Sequence, residues 1–156
     1  DDRSFEEIMR EDAAPYGWLG DMVLPSVMPA HVIYSQVDPN PAGFSPYWIQ
    51  TVLRDNLAYD GVVFSDDLTM EGATVAGDIL ARAQAALTAG CDMVLVCNRP
   101  DLADELLARL EHTPSPQSLA RIRRLLPRQA APDWDTLQSL ARYQYARQLQ
   151  SEIISG

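Results

Sequence analysis

Two short runs constrain this chain more than any other feature. Gly61-Val62-Val63-Phe64-Ser65 and Asp92-Met93-Val94-Leu95-Val96 carry continuous apolar centres with no polar alternation. A strand with one face in water alternates, whereas a strand covered on both faces does not, so both runs read as buried parallel strands. The segments around them read as helices. Ser45-Pro46 offers a cap and a proline at the first helical position, for a helix reaching about Leu57. Ile79 to Ala89 is a second, stopped by Gly90, and Pro100 to Leu110 is a third, with Asn98 or Arg99 before it. Ser115-Pro116 opens a fourth. Upstream, the capping box Ser4-Phe5-Glu6-Glu7 starts a helix towards Leu19 that bends or breaks near Pro15. Val27 to Ile33 is a third strand in spite of Pro29, and Asp38 to Gly43 is a loop.

Helices alternating with continuous apolar strands make an α/β protein with a parallel sheet. Three strands suit either a small open sheet or the last three strands of an eight-stranded (β/α)8 barrel of the TIM type, and periodicity does not choose. After about residue 126 the pattern changes. Asp133 caps a closing helix whose Trp134, Leu137, Leu140, Ala141, Tyr145 and Leu149 form one apolar stripe, read as a packing surface. Residues 1–126 are therefore expected to form the α/β part, with 127–156 a helical extension packing on it.

Charge narrows the partners. The net charge is −10, and the one basic run is Arg121, Arg123, Arg124 and Arg128, read as a solvated helix face. A nucleic-acid backbone would demand a clustered basic surface, so none is expected as partner. No run approaches the roughly 18 apolar residues of a membrane span, and the acidic start Asp1-Asp2-Arg3-Ser4 has no signal-peptide character. The chain begins without Met, which suggests a piece of something longer. Cys91 and Cys97 flank the third strand; extended chain would hold them about 20 Å apart, beyond the ~7 Å a disulfide allows. They read as buried hydrophobes in a reducing compartment, and the cytoplasm fits.

The chemistry lies in Asp60-Gly61-Val62-Val63-Phe64-Ser65-Asp66-Asp67-Leu68-Thr69-Met70-Glu71-Gly72-Ala73. Two acids follow a buried strand at its carboxyl end, where α/β proteins place ligands and reacting groups. A turn needs one capping Asp, not two in succession. A metal site would need further ligands at a suitable spacing, and none stands out, so no metal or other cofactor is expected. A phosphoacceptor like that of two-component receiver domains would need a Lys, and every one of the 12 basic residues is Arg. A third reading is a glycosidase nucleophile, a carboxylate that attacks an anomeric carbon, and a purely structural role for the pair stays open beside it.

Three stretches in order carry a resemblance to the bacterial β-N-acetylglucosaminidases (β-hexosaminidases) of glycoside hydrolase family 3. The segment Asp60 to Ala73 resembles their nucleophile segment, Val27-Met28-Pro29-Ala30-His31-Val32-Ile33-Tyr34 the preceding strand, and Ala89-Gly90-Cys91-Asp92-Met93-Val94-Leu95-Val96-Cys97 the following one. The resemblance covers roughly residues 1–126, the C-terminal part of the family's barrel. It implies that Asp66 is the nucleophile, with Asp67 a supporting or turn residue. His31, at the end of its strand, is a candidate for the substrate site or for structure, and Met70 for the wall of a sugar pocket. His112 is read as a residue at a helix C-terminus, interacting with the dipole.

By the same resemblance the proton donor is a histidine paired with an aspartate on a mobile loop, and that loop lies upstream of Asp1. The chain alone is thus expected to be impaired. The implied substrate is an N-acetylglucosamine-containing muropeptide in cytoplasmic peptidoglycan recycling, and the implied partner is the missing N-terminal half of the barrel. The alternative is a non-catalytic truncated remnant or interaction module, with the apolar edge of its first strand, around Val27 to Val32, left to recruit a partner.

Overall fold

The structure, a computed structural model, describes residues 1–19 and 24–155. These form two compact units, Asp1–Leu125 and Leu126–Gly156. In the first, three parallel strands lie side by side in sequence order: β1 (Ser26–Val27), β2 (Val62–Asp67) and β3 (Met93–Leu95). Ser26 and Val27 of β1 face Val62 and Val63 of β2, and Phe64 and Asp67 of β2 face Met93 and Leu95 of β3. The parallel α/β reading is correct.

The elements around the sheet follow the capping chemistry. Helix α1 (Phe5–Arg10) carries the full capping box, with Ser4 Oγ accepting from the Glu7 N–H and the Glu7 carboxylate accepting from the Ser4 N–H. The expected single helix is broken at Glu11–Ala13, and α2 (Ala14–Leu19) takes Pro15 into its first turn, where its missing N–H costs nothing. Ser45 Oγ accepts from the Trp48 N–H at 3.1 Å and so opens the next helix as expected. That helix is wider than expected, a π-helix over Tyr47–Asn56 whose end bonds the Leu57 N–H to the Val52 carbonyl, five residues back. Asp78 caps α3 (Ile79–Ala89), and Gly90 ends it at φ +118°, the left-handed region that glycine enters without strain. Helices α4 (Pro100–Arg109) and α5 (Pro116–Arg124) complete this unit, with Ser115 capping α5.

The core lies between the sheet and these helices. Val63 and Leu68 pack with Phe44, Ile49, Ile79, Leu106 and the alanine face of α3, Ala83, Ala86 and Ala89. Alanines there let α3 lie close to β3, the partner of the strand that bears the two acids.

Three expectations are corrected. The first strand spans Ser26–Val27 and not Val27–Ile33; Pro29 has no N–H for a ladder, and Ile33 instead bridges antiparallel to Pro41. His112 lies beyond the last turn of α4, which ends at Arg109, and not at the helix end. The closing helix is two, α6 (Trp134–Ser139) and α7 (Ala141–Ser155), because Leu140 is extended (φ −68°, ψ 128°), and the stripe is interrupted there. Within that unit Trp134 meets Tyr143 edge-on at 6.1 Å.

Candidate active site

Strand β2 carries both acids inside the ladder, where the sequence placed them at the carboxyl end of a strand reaching Ser65. The strand lasts because β3 keeps pairing with it, the Leu68 N–H donating to the Leu95 carbonyl at 2.9 Å. A register shift between Phe64 and Asp67 marks a bulge, and Ser65 Oγ fills it by accepting from the Leu95 N–H at 3.0 Å. Simple alternation therefore still does not assign the two carboxylates to faces.

Their surroundings do separate them. Asp67 is engaged by three donors: Oδ1 accepts from the N–H groups of Thr69 (2.9 Å) and Cys97 (3.1 Å), and Oδ2 accepts from the Thr69 hydroxyl (2.7 Å). Burial opposes its charge, but those bonds, with His31 nearby, outweigh burial and hold its carboxyl below the usual range. Asp67 thereby ties the end of β2 to the end of β3. Asp66 is half-buried, and its Oδ1 accepts from the Asp67 N–H at 2.8 Å. Its other oxygen has no hydrogen-bond partner among the described residues, so one lobe of this carboxylate stays open to a ligand.

His31 reaches this point from the segment after β1, with Nε2 3.1 Å from the Asp67 carbonyl oxygen. Its Nδ1 is buried without a partner among the described residues, and its ring lies 5.1 Å from that of Phe44. Met70 is exposed and stands before the 3-10 helix Glu71–Ala76. The loop from Leu68 to Gly77 is clamped by Arg82, whose guanidinium donates to the Leu68 carbonyl at 2.8 Å and to the Gly77 carbonyl at 2.7 Å. Asp66, Asp67, His31 and the Met70 loop thus share the carboxyl end of β2. His112 has no part in it.

At the opposite end of the sheet lies a charged group that sequence reasoning missed. Asp92 is buried; its Oδ2 accepts from Arg54 at 2.8 Å and from the Val63 N–H at 2.9 Å. Arg54 also donates to the carbonyls of Tyr59 (2.9 Å) and Gly61 (2.6 Å). Arg121 joins Asp92 at 3.4 Å and Asp60 at 2.9 Å, and Arg124 pairs with Asp60. Half of the basic run is therefore engaged in ion pairs and is not a bare solvated face. An acid opening an otherwise apolar strand was the signal that could have found this network.

Cys91 and Cys97 are both free, and burial pushes the Cys91 thiol up to about 12. Among the described residues no three His, Cys, Asp or Glu side chains are grouped to hold a metal ion, and no helix is long and apolar enough to cross a membrane.

Residues 1–126 match the family described as Glycosyl hydrolase family 3 N terminal domain. The chain belongs to glycosyl hydrolase family 3. Among curated relatives, a Bordetella avium protein named Beta-hexosaminidase is 70% identical over 156 residues, which is 100% of this chain and 44% of that protein. An Aromatoleum aromaticum protein of the same name is 54% identical over 156 residues, 43% of its own length. Among solved structures, NagZ from Neisseria gonorrhoeae in complex with N-trifluoroacetyl-D-glucosamine is similar with a TM-score of 0.83 at 38% identity, covering 96% of this chain and 42% of that one. The β-N-acetylglucosaminidase from Thermotoga maritima has a TM-score of 0.65 at 28% identity, covering 80% of this chain and 30% of that one. The family 3 chain thus spans less than half the length of these relatives. Of the two architectures left open by the sequence, the likeness selects the TIM-type barrel, of which this chain is a part.

Proposed function

We propose that this chain is part of a retaining β-N-acetylhexosaminidase in which Asp66 is the nucleophile. The observation that carries the reading is the contrast between two adjacent carboxylates. Asp67 is saturated by donors from two elements, while Asp66 has one oxygen steadied by a backbone N–H and the other open. An oriented carboxylate with a free lone pair at the carboxyl end of a barrel strand suits attack on an anomeric carbon. The open oxygen forms a bond to C1 as the bond from C1 to the leaving oxygen breaks. That oxygen takes a proton from a general acid, and water then hydrolyses the glycosyl ester with net retention.

The substrate class rests on the relatives, several named Beta-hexosaminidase, and on the N-trifluoroacetyl-D-glucosamine bound by a related NagZ. An N-acetylglucosaminide of muropeptide type, met in cytoplasmic cell-wall recycling, is the proposed natural substrate. Met70 is the proposed pocket wall, and Asp67 supports Asp66. The test is a fluorinated glycosyl inactivator that traps the glycosyl-enzyme. Peptide mapping is expected to find the label on Asp66; a label on Asp67, or on neither, rejects the assignment.

A further inference from the structure

We propose that His31 is a positioning residue that acts through Asp67 on the Asp66 carboxylate, and is not a group that touches the sugar; this rests on Asp66 being the nucleophile. The Asp67 carbonyl, 3.1 Å from His31 Nε2, can only accept. Nε2 therefore carries a proton and donates it there. Nδ1 is buried and meets no partner among the described residues. Neither ring nitrogen is thus presented to a ligand.

The ring's place is fixed from several sides. Phe44 lies against it at 5.1 Å between centroids. A Cβ added at Gly72 would come within 2.9 Å of the His31 Cβ, closer than such atoms approach, so the loop can pass over His31 only with glycine there. With the carbonyl of Asp67 held by His31 and its carboxylate held by Thr69 and Cys97, little freedom remains in residue 67. Its N–H is left aimed at Asp66 Oδ1, 2.8 Å away. Three segments of chain thereby converge to hold one donor. A donor fixed before the reaction steadies the nucleophile without reorganisation during it.

The test compares His31→Leu, His31→Gln and Gly72→Ala in the protein expressed from its complete reading frame, on an aryl N-acetyl-β-glucosaminide. His31→Leu is expected to lower kcat by roughly 10- to 100-fold, as a misplaced reacting group does, with KM little changed. Gln, whose amide N–H reaches the same carbonyl, should recover most of the rate. Gly72→Ala should reproduce the loss by displacing the ring. Raised KM at unchanged kcat, or Leu and Gln variants of equal rate, would overturn the proposal. Amide exchange in the 156-residue chain gives a readout that needs no turnover. His31→Leu should speed exchange at Thr69 and Cys97 while His31→Gln preserves protection, and no difference between them overturns the proposal equally. Asp66→Ala separates the two readings: if that variant keeps full activity, the nucleophile assignment has failed, whatever the His31 variants do.

Discussion

Asp66 and Asp67 are chemically identical and adjacent, and the donors around them give them different work. Three hydrogen bonds hold the Asp67 carboxyl below the usual range against the opposing effect of burial. Its charge therefore contributes to stability in a definite pH window. A carboxyl with a lowered folded value binds fewer protons folded than unfolded in acid, so its contribution is complete above the ordinary carboxylate value of ~3.9 and is lost as pH falls through the lower folded value. Asp67→Asn is expected to cost about 1.5–3 kcal/mol at neutral pH, the usual worth of hydrogen bonds to a charged group. Its urea midpoint should also fall less steeply below about pH 4 than that of the parent chain. Parallel acid limbs in the two proteins would show that Asp67 does not carry this linkage. Both acids were legible in the sequence as a pair after an apolar strand. Their separation into an open and a saturated carboxylate was not, since it depends on Thr69 and on Cys97, 30 residues later.

Strands and helices were readable wherever a local rule decides them. The capping box at Ser4, the serine caps at Ser45 and Ser115, and glycine after Ala89 each gave a boundary found in the structure. What escaped depends on partners distant in sequence. Strand β1 stops after Val27 and it is Ile33 that bridges to Pro41, β2 persists through Asp67 because β3 reaches it, and no propensity announces a π-helix at Tyr47–Asn56. The buried pair Arg54–Asp92 belongs to the same class, joining the π-helix to the start of β3 and capping the Val63 N–H. Removing one member of such a pair strands the other charge in the interior, which typically costs about 3–5 kcal/mol. Asp92→Ala should lower the thermal midpoint strongly, whereas Asp101→Ala, in an exposed pair with Arg99, should shift it little. A small loss at Asp92 would mean that water reaches Arg54 readily.

At the scale of the whole chain, an incomplete barrel part has two consequences. Among the described residues the sheet ends at β1 and β3; Met28, Val32 and Ile33 beyond β1 are exposed, and Val27, Met28, Trp48 and Ile49 line an apolar cavity of about 260 Å³. Unpaired parallel edges with apolar flanks recruit other chains. Sedimentation of the 156-residue chain should therefore show concentration-dependent association, and a clean monomer of 17.3 kDa would count against it. The second consequence is chemical. Cleaving a glycoside with a poor leaving group needs a proton donor, worth ~10²–10⁴-fold in rate. Asp67 is held ionised, and the Nε2 proton of His31 is committed to a backbone carbonyl. Neither is free to protonate a departing sugar oxygen, so under the proposed function the acid must come from beyond these residues. Activated nitrophenyl glycosides need little of that help. The isolated chain is accordingly expected to leave a natural N-acetylglucosamine disaccharide intact and to cleave the nitrophenyl glycoside very weakly or not at all. Assaying both side by side, with Asp66→Ala as the blank, checks this directly. Ready cleavage of the disaccharide would place a working acid inside the chain, and His31→Gln would be the next variant to assay.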